Sequence, residues 1–371
     1  MSQSEHIIQC LQLINSENVG PITFFKLLEH YGNIDNALEA LPSLPKYKLC
    51  PLSWAQKEYE KSLHHKVDII SFQDKDYPDT LRNLHDAPPL IYLKGNKDLL
   101  NAPASLAVVG ARNASINGRK TASRISYDLT NNGILIVSGM ARGIDSAAHK
   151  GAMYALEQKG STLAVLGTGV DIIYPSENTN LYHQICERGA VISEYPLGTE
   201  AQAQNFPRRN RIVSALTQGT LVVEATTNSG SLITARLALE QGKDIFAIPG
   251  SPQDSRSLGP NKLIKEGAIL VESATDILEN FNPEKQKQII EYVDKLQKNA
   301  DYPAKEPTIQ ILEKEPTDSS IIDCLSPQGT YVDEIIRRTG LSPEVVSFQL
   351  LELELSGRIE RLAGNRVALI K

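Results

Sequence analysis

Short apolar runs recur through the middle of the chain, and each is followed by a longer segment with apolar residues at helical spacing. The runs LAVVG, ILIVSG, TLAVLGTG, AVISEYP, TLVVEA, DIFAIPG and AILVES have the length and composition of buried strands. Segments such as GRKTASRISYDLTNNG and SAAHKGAMYALEQKG are typical of helices. This alternation predicts an α/β fold with a doubly wound parallel sheet and right-handed crossovers.

The pattern changes on both sides of this region, which divides the chain into four parts. Residues 1–62 predict a small helical domain of the helix-hairpin-helix or sterile-alpha-motif type, with Pro21 as a helix start and Gly32 as a stop. Residues 63–281 form the core, in which two apolar runs within 67–100 predict strands that extend or cover the sheet. Residues 282–317 are charged and interrupted by prolines, as in a linker. Residues 318–371 predict three helices, at DSSIIDCLS (318–326), TYVDEIIRRTG (330–340) and SPEVVSFQLLELELSGR (342–358). Two short strands joined by a turn at 363–365 follow, which is the order of a winged helix.

Both small domains leave a choice of role open. A glycine hairpin in the first domain would offer amides to a DNA backbone, but Asn18 stands where its first glycine would fall, which favours simple helical packing. The third helix of the winged helix carries Glu344, Glu352 and Glu354. A helix that reads the major groove carries basic and amide side chains, so we favour a protein-docking or regulatory role.

Composition narrows the class of protein. The 371 residues carry a formal net charge of -6, with 41% hydrophobic and 22% charged residues, as in ordinary globular proteins. The sequence has neither a stretch long enough for a membrane span nor a secretory signal, so we expect a cytoplasmic protein. Its four cysteines (Cys10, Cys50, Cys186 and Cys324) lie too far apart for metal-ligand spacing or a disulfide framework.

The strongest chemical signal lies in residues 205–236. The segment NFPRRNRIVSALTQ precedes a buried strand, which leads into the loop TTNSGS and a helix. Ligands of parallel sheets collect at the carboxyl ends of the strands, where the first amides of a helix attract anions and arginine matches phosphate oxygens. An aromatic residue here would stack on a base. The predicted contacts are Phe206, Arg208, Arg209, Asn210, Arg211, Ser229 and Gly230.

Three other strand ends carry similar features. The loop after the first core strand contains Gly110, Arg112 and Ser115, and the next contains Gly139 and Arg142. Lys262 follows the strand DIFAIPG. Glycines at successive strand ends indicate a ligand that lies close along the whole edge of the sheet. We therefore add these six residues to the predicted phosphate-binding surface.

Ordinary structural roles remain open for several of these residues. The arginines are also compatible with surface ion pairs, the loop NSGS with a helix cap, and Phe206 with a core position. Asp145 and His149 lie one helical turn apart, but no nucleophile or metal-ligand set accompanies them, so we favour helix capping over acid-base catalysis. Glu224 is either a carboxylate of the site or a partner for an arginine.

The loop after the first core strand argues against a dinucleotide cofactor. Its sequence GARNASINGR is not the Gly-x-Gly-x-x-Gly fingerprint, and Asn131 and Asn132 stand where a ribose-binding acid is expected. We predict no cofactor, no metal and no catalytic residues.

Several ordered motifs together resemble the DNA-processing protein A family, also called Smf. They are VVGARNASINGRKTASRI, IVSGMARGIDSAAHKGAM, VLGTGVDIIYPSEN, ISEYPLG, FPRRNRIVSALT, EATTNSGSLITARLALEQG, FAIPGSP and GPNKLIKEGA. The resemblance implies an extended Rossmann fold, a homodimer formed through the core, and binding of single-stranded DNA in natural transformation. It also implies bypass of single-strand binding protein and loading of the recombinase RecA.

The resemblance also implies a basic DNA pocket. Residue by residue, it would fall on Gly110, Arg112, Gly139, Arg142, Phe206, Asn210, Arg211, Ser229, Gly230 and Lys262. Ala203 stands where some members place a lysine, so one contact of the family is in doubt.

Two other functions compete with DNA binding. The core also resembles the lysine-decarboxylase-like phosphoribohydrolases, which act on nucleoside monophosphates and carry a Pro-Gly-Gly-x-Gly-Thr loop followed by a glutamate. Here Ala235 and Arg236 follow the corresponding stretch, so the acid is missing. A protein adaptor that uses the acidic winged helix is the other possibility, and it predicts that the core alone binds no DNA.

Overall fold

The computed structural model describes residues 2–158, 160–280, 330–339, 346, 350, 353–354, 359–362 and 366–369. The chain divides into two compact units, Met1–Ala300 and Asp301–Lys371. The predicted linker, residues 282–317, lies outside the described residues.

A nine-stranded sheet forms the centre of the first unit. Its strands are β1 Asp68–Ser71, β2 Leu90–Gly95, β3 Ser105–Val109, β4 Leu135–Ser138, β5 Thr162–Val165, β6 Ala190–Ser193, β7 Gly219–Val222, β8 Asp244–Ala247 and β9 Ile269–Leu270. Their order in the sheet is β1-β2-β6-β5-β4-β3-β7-β8-β9. Strands β3 to β9 pair in parallel, and β2 joins β6 in antiparallel register. The two strands predicted within 67–100 therefore extend the sheet at one edge.

Helices cover both faces of this sheet, which explains why the central strands β3 to β7 are buried at every position and mostly apolar. The helices of the core are α5 Asp79–Arg82, α6 Ile116–Asn131, α7 Ile144–Gln158, α8 Thr179–Arg188, α9 Asn205–Ala215, α10 Gly230–Glu240, α11 Leu258–Lys265 and α12 Ala274–Leu278. On one face Leu106 and Val108 of β3 pack with residues of α6, α7 and α12. On the other face Ala107 and Val109 pack with residues of α9 and α10. This is the predicted doubly wound α/β fold.

Four helices precede the sheet: α1 Gln3–Ile14, α2 Pro21–Tyr31, α3 Ile34–Ala40 and α4 Leu52–His64. Helix α2 begins at Pro21 and ends before Gly32, whose φ of 84° suits glycine, so both predicted signals are confirmed. Helix α1 packs on α4 and against β1 and β2. Glu58 of α4 accepts a hydrogen bond of 2.7 Å from the Leu197 amide, which ties the helical domain to the core.

The second unit contains a small antiparallel sheet in the order β10-β12-β11. Its strands are β10 Thr330–Tyr331, β11 Ile359–Leu362 and β12 Arg366–Leu369, and the helix Val332–Thr339 follows β10. The sequence predicted helix from residue 330, but Thr330 and Tyr331 pair with β12. Val346, Leu350 and Leu353 are buried at helical spacing beside Ile335 and Ile359. The predicted first helix at 318–326 and the turn at 363–365 lie outside the described residues, as do Glu344 and Glu352.

In the parts of the chain that the structure describes, no helix is both long and apolar enough to cross a membrane.

Candidate functional site

An open cleft of about 890 Å³ lies at the carboxyl ends of the parallel strands. Loops that follow β3, β4, β7 and β8 contribute to its walls, together with Tyr174 and the first two turns of α9. Because several crossover helices begin at this edge, their unpaired first amides lie near the cleft. Such an edge is the usual position of a ligand in a parallel α/β sheet.

Three side chains form a stacked group at the mouth of the cleft. The Arg112 guanidinium carbon lies 5.4 Å from the centroid of the Phe206 ring. The Tyr174 ring lies on the Phe206 ring at 5.4 Å between centroids, with 37° between the ring planes. Tyr174 is 43% exposed, and Arg112 is exposed with no carboxylate partner among the described residues. The group therefore presents a free cation and aromatic rings to the solvent.

Arg209 forms the floor of the cleft. Its side chain is buried, and its Nη1 donates a hydrogen bond of 2.6 Å to the Val165 carbonyl. A Cβ atom at Gly139 would collide with this guanidinium, so the glycine gives Arg209 its place beneath the loop. Burial lowers the pKa of Arg209 to about 10. Burial also raises the pKa of Asp145, whereas Arg209 opposes that shift.

The N-terminus of α10 forms a further wall. Ser229 is its N-cap and accepts a bond of 3.4 Å from the Ser231 amide. Asn210 of α9 donates a bond of 3.4 Å to the Gly230 carbonyl, which joins the two helices at the cleft. The predicted helix cap is thus present in the wall itself, so capping and lining the cleft are compatible roles for Ser229.

Eight of the thirteen predicted site residues line the cleft. They are Gly110, Arg112, Gly139, Phe206, Arg209, Asn210, Ser229 and Gly230. The other five do not line it.

Helix geometry separates the arginines of the FPRRNR segment. Phe206, Arg209 and Asn210 line the cleft, whereas Arg208 and Arg211 line a cavity of about 500 Å³ between the helical domain and the sheet. Arg208 is exposed. Arg211 is only 8% exposed and forms ion pairs of 2.5 Å with Glu194 and 3.0 Å with Asp86. For Arg211, the ion-pair role left open by the sequence is the one that the structure shows.

Ser115, Arg142 and Lys262 also have other partners. The Ser115 hydroxyl donates to Glu224 at 2.5 Å and accepts from the Gly118 amide at 2.8 Å, so Ser115 caps α6. Glu224 therefore binds this cap, a partner that neither sequence interpretation named. Arg142 pairs with Glu177 at 2.6 Å, and Lys262 pairs with Glu266 at 3.7 Å. Both pairs are exposed and contribute little energy, so either cation remains available to a phosphate.

His149 does not reach the cleft. It is fully buried, and its Nδ1 lies 2.8 Å from the Thr162 hydroxyl oxygen. Burial, with a smaller contribution from Arg209, lowers its pKa to about 3. Asp145 lies in the first turn of α7 rather than at the N-cap, and it accepts bonds from the Gly139 and Ala141 amides. Structural roles therefore account for both residues.

Sequence reasoning missed several side chains of the cleft, among them an aromatic residue and a further arginine. Tyr174 stacks on Phe206, and Arg256 also lines the cleft, where it is paired with Asp254. The only signal for Tyr174 is an aromatic residue in the loop between β5 and α8. Arg256 lies in a loop whose path toward the cleft is set by tertiary packing, so its sequence neighbours give no such signal.

The fold and the cleft define an extended Rossmann-like protein with a helical domain before its core and a winged helix after it. Comparison with known families makes the class more specific. The family model described as DNA recombination-mediator protein A matches residues 68–282. A DprA-like N-terminal HHH domain matches residues 4–60, and the DprA winged helix domain matches residues 303–365. The chain belongs to the DNA recombination-mediator protein A family.

Individual relatives agree with this assignment. Protein Smf of Escherichia coli is 39% identical over 327 residues, which cover 86% of this chain and 83% of the relative. DNA processing protein DprA of Streptococcus pneumoniae is 42% identical over 264 residues, or 69% of this chain and 92% of the relative. The X-ray structure of the S. pneumoniae protein matches with a TM-score of 0.63 and 36% identity, covering 76% of this chain and 99% of that one.

A second solved structure bears on ligands. DNA processing protein A from Helicobacter pylori, described for its unique single-stranded DNA binding mode, matches with a TM-score of 0.52 and 27% identity. The match covers 58% of this chain and 98% of that one.

Proposed function

We propose that this protein binds single-stranded DNA in the cleft at the carboxyl ends of its parallel strands. The observation that carries the proposal is the stacked group of Arg112, Phe206 and Tyr174. Aromatic rings stack on bases of any sequence, and a free guanidinium binds the adjacent phosphate. The described binding mode of the H. pylori relative supports the same ligand.

The shape of the cleft favours a polymer over a mononucleotide. It is open to the solvent, and its walls come from several successive strand ends rather than from one phosphate-binding loop. Arg142 and Lys262 lie outside it, in exposed and weak ion pairs, where they are available to phosphates further along a strand. The thirteen predicted contacts, apart from the buried Arg211 and the capping Ser115, are retained in this proposal.

The role in the cell follows from the family. We propose that the protein protects incoming single-stranded DNA in the cytoplasm during natural transformation and loads the recombinase RecA onto it. Bypass of single-strand binding protein and a homodimer formed through the core belong to the same proposal. The family's description as a recombination mediator supports it. RecA activity on DNA coated with single-strand binding protein, measured with and without this chain, tests the loading step.

A salt-series titration tests the binding site directly. Parent, Arg112→Ala and Phe206→Ala proteins would be titrated with single-stranded and duplex oligonucleotides. Loss of base stacking at Phe206 should cost about 1–3 kcal/mol of binding free energy. Loss of one phosphate contact at Arg112 should reduce the slope of log K against log salt by about 0.7. Lys75→Ala removes an exposed charge beside the β1 edge, far along the sheet order from β3, and serves as the control.

Two results would contradict the proposal. Parent-like binding by both cleft variants would place the DNA elsewhere. Release of ribose 5-phosphate from nucleoside monophosphates would instead assign the cleft to a phosphoribohydrolase activity.

A further inference from the structure

Helices α6 and α7 lie side by side on the outside of the sheet. Their small residues allow close packing, since a Cβ atom at Gly151 would collide with the Ser123 carbonyl. Near their C-terminal ends, the Leu156 amide donates a bond of 2.7 Å to Asn131. Gly151 is near the middle of α7 and Ser123 near the middle of α6, so the two helices run in the same direction.

Five residues on the solvent side of this helix pair form what we call the α6–α7 patch. They are Lys120, Arg124 and Tyr127 on α6, and Lys150 and Tyr154 on α7. Spacings of three and four residues place the members of each helix on one face. Tyr127 is 42% exposed and Tyr154 is 64% exposed, and the three cations are exposed as well.

The charge of this patch is unbalanced. None of Lys120, Arg124 and Lys150 pairs with a carboxylate in the part of the chain that the structure describes. The whole chain carries a formal net charge of -6, so a group of free cations is not a general property of its surface. Cations interleaved with exposed aromatic rings match the phosphates and bases of a single strand.

The patch lies on a helix that begins close to the cleft. Helix α6 begins at Ile116, four residues after the Arg112 side chain that stacks on Phe206. From there its 16 residues extend about 24 Å along the face of the sheet. That length corresponds to about seven nucleotides at the roughly 3.4 Å spacing of a stacked strand.

We propose that the α6–α7 patch is a second binding segment for single-stranded DNA, which continues the path of a strand that leaves the cleft at Arg112. This inference rests on the proposed function, because it takes the cleft as the first segment. The tyrosines stack on bases, and Lys120, Arg124 and Lys150 neutralise phosphates.

Oligonucleotide length separates the two segments. An oligonucleotide of about 6 nucleotides is short enough for the cleft alone, whereas one of about 20 nucleotides reaches both segments. In the full chain, the double variants Lys120→Ala with Lys150→Ala and Tyr127→Ala with Tyr154→Ala change only exposed side chains. Lys75→Ala is again the control.

We expect each double variant to bind the short oligonucleotide like the parent and the long one at least about 5-fold more weakly. For the lysine variant, the salt slope with the long oligonucleotide should fall by about 1.4, since two phosphate contacts are lost. Parent-like affinity and slope with the long oligonucleotide would overturn the inference alone and leave the cleft intact. Loss of recombinase binding with unchanged DNA binding would also overturn it and make the patch a protein interface. A parent that binds neither oligonucleotide would overturn both proposals.

Discussion

On helix α9, Phe206 and Asn210 face the cleft, while Arg211 faces the helical domain and joins Glu194 and Asp86 in a buried ion-pair cluster. The two faces come from one run of sequence, and both contain arginine. On the cleft side, Arg112 from the neighbouring loop completes a group that is open to the solvent. On the opposite side, the cation is already neutralised.

The environment of an arginine therefore decides its role more than its place in a basic motif does. A buried guanidinium between two carboxylates stabilises the fold and has little capacity left for a phosphate. An exposed guanidinium over an aromatic ring has lost little hydration and keeps its donors free. We therefore expect substitutions on the helical-domain face of α9 to lower the free energy of unfolding, and substitutions at the cleft to weaken DNA binding.

The largest expected effect is on the buried face. Arg211→Ala leaves Glu194 and Asp86 without their cation, and Glu194 has a pKa already raised by burial. Removal of one partner of a buried pair costs about 3–5 kcal/mol of unfolding free energy. Urea denaturation measures this loss, with the exposed Arg208→Ala on the same helix as the control. Parent stability combined with weaker DNA binding would show that Arg211 belongs functionally to the cleft.

The sequence predicted the parallel strands well because burial on both faces makes each of them a short, mostly apolar run. Strand β4 at Leu135–Ser138 and β5 at Thr162–Val165, for example, fall within the predicted runs ILIVSG and TLAVLGTG. Helix α2 was equally clear, since Pro21 and Gly32 are local signals whose effect does not depend on distant residues.

The division of the arginines could not be predicted in the same way. It depends on the phase of α9 and on partners distant in sequence, because Asp86 lies in the segment before β2 and Glu194 follows β6. The Ser115 contact with Glu224 likewise spans 109 positions. Tyr174 reaches the cleft only because the loop after β5 folds back over Phe206. Long-range packing of this kind leaves no local pattern in a single sequence.

A second test concerns His149 of α7, which is fully buried and lies close enough to the buried Arg209 for that cation to lower its pKa. The pKa of His149 is about 3 in the folded protein and near 6.5 in the unfolded chain. Below pH 6.5 the unfolded chain therefore binds a proton that the folded protein does not, and stability falls as the pH falls toward 3. Between pH 7 and pH 5 this contribution amounts to about 2 kcal/mol.

Comparison with a variant isolates that contribution, because the raised pKa values of Asp145 and Glu194 shift stability in the opposite direction. His149→Gln retains a polar group next to Thr162 but cannot titrate. Urea denaturation at pH 7 and pH 5 should show the parent losing about 2 kcal/mol more than the variant. Equal losses would mean that His149 is accessible to protons in the folded state.

The smallest expected effect distinguishes charge from stacking on the cleft face. Arg112→Lys keeps the positive charge but loses the planar group that lies over Phe206. Single-stranded DNA should bind about 0.5–1 kcal/mol more weakly, while the salt slope stays unchanged because the phosphate contact is kept. Lys75→Arg, which follows β1 at the far edge of the sheet, should alter neither quantity. If Arg112→Lys instead lowered the salt slope as Arg112→Ala does, a lysine at this position would not keep the phosphate contact. The Phe206 ring would then serve only to hold the Arg112 guanidinium in position for that contact.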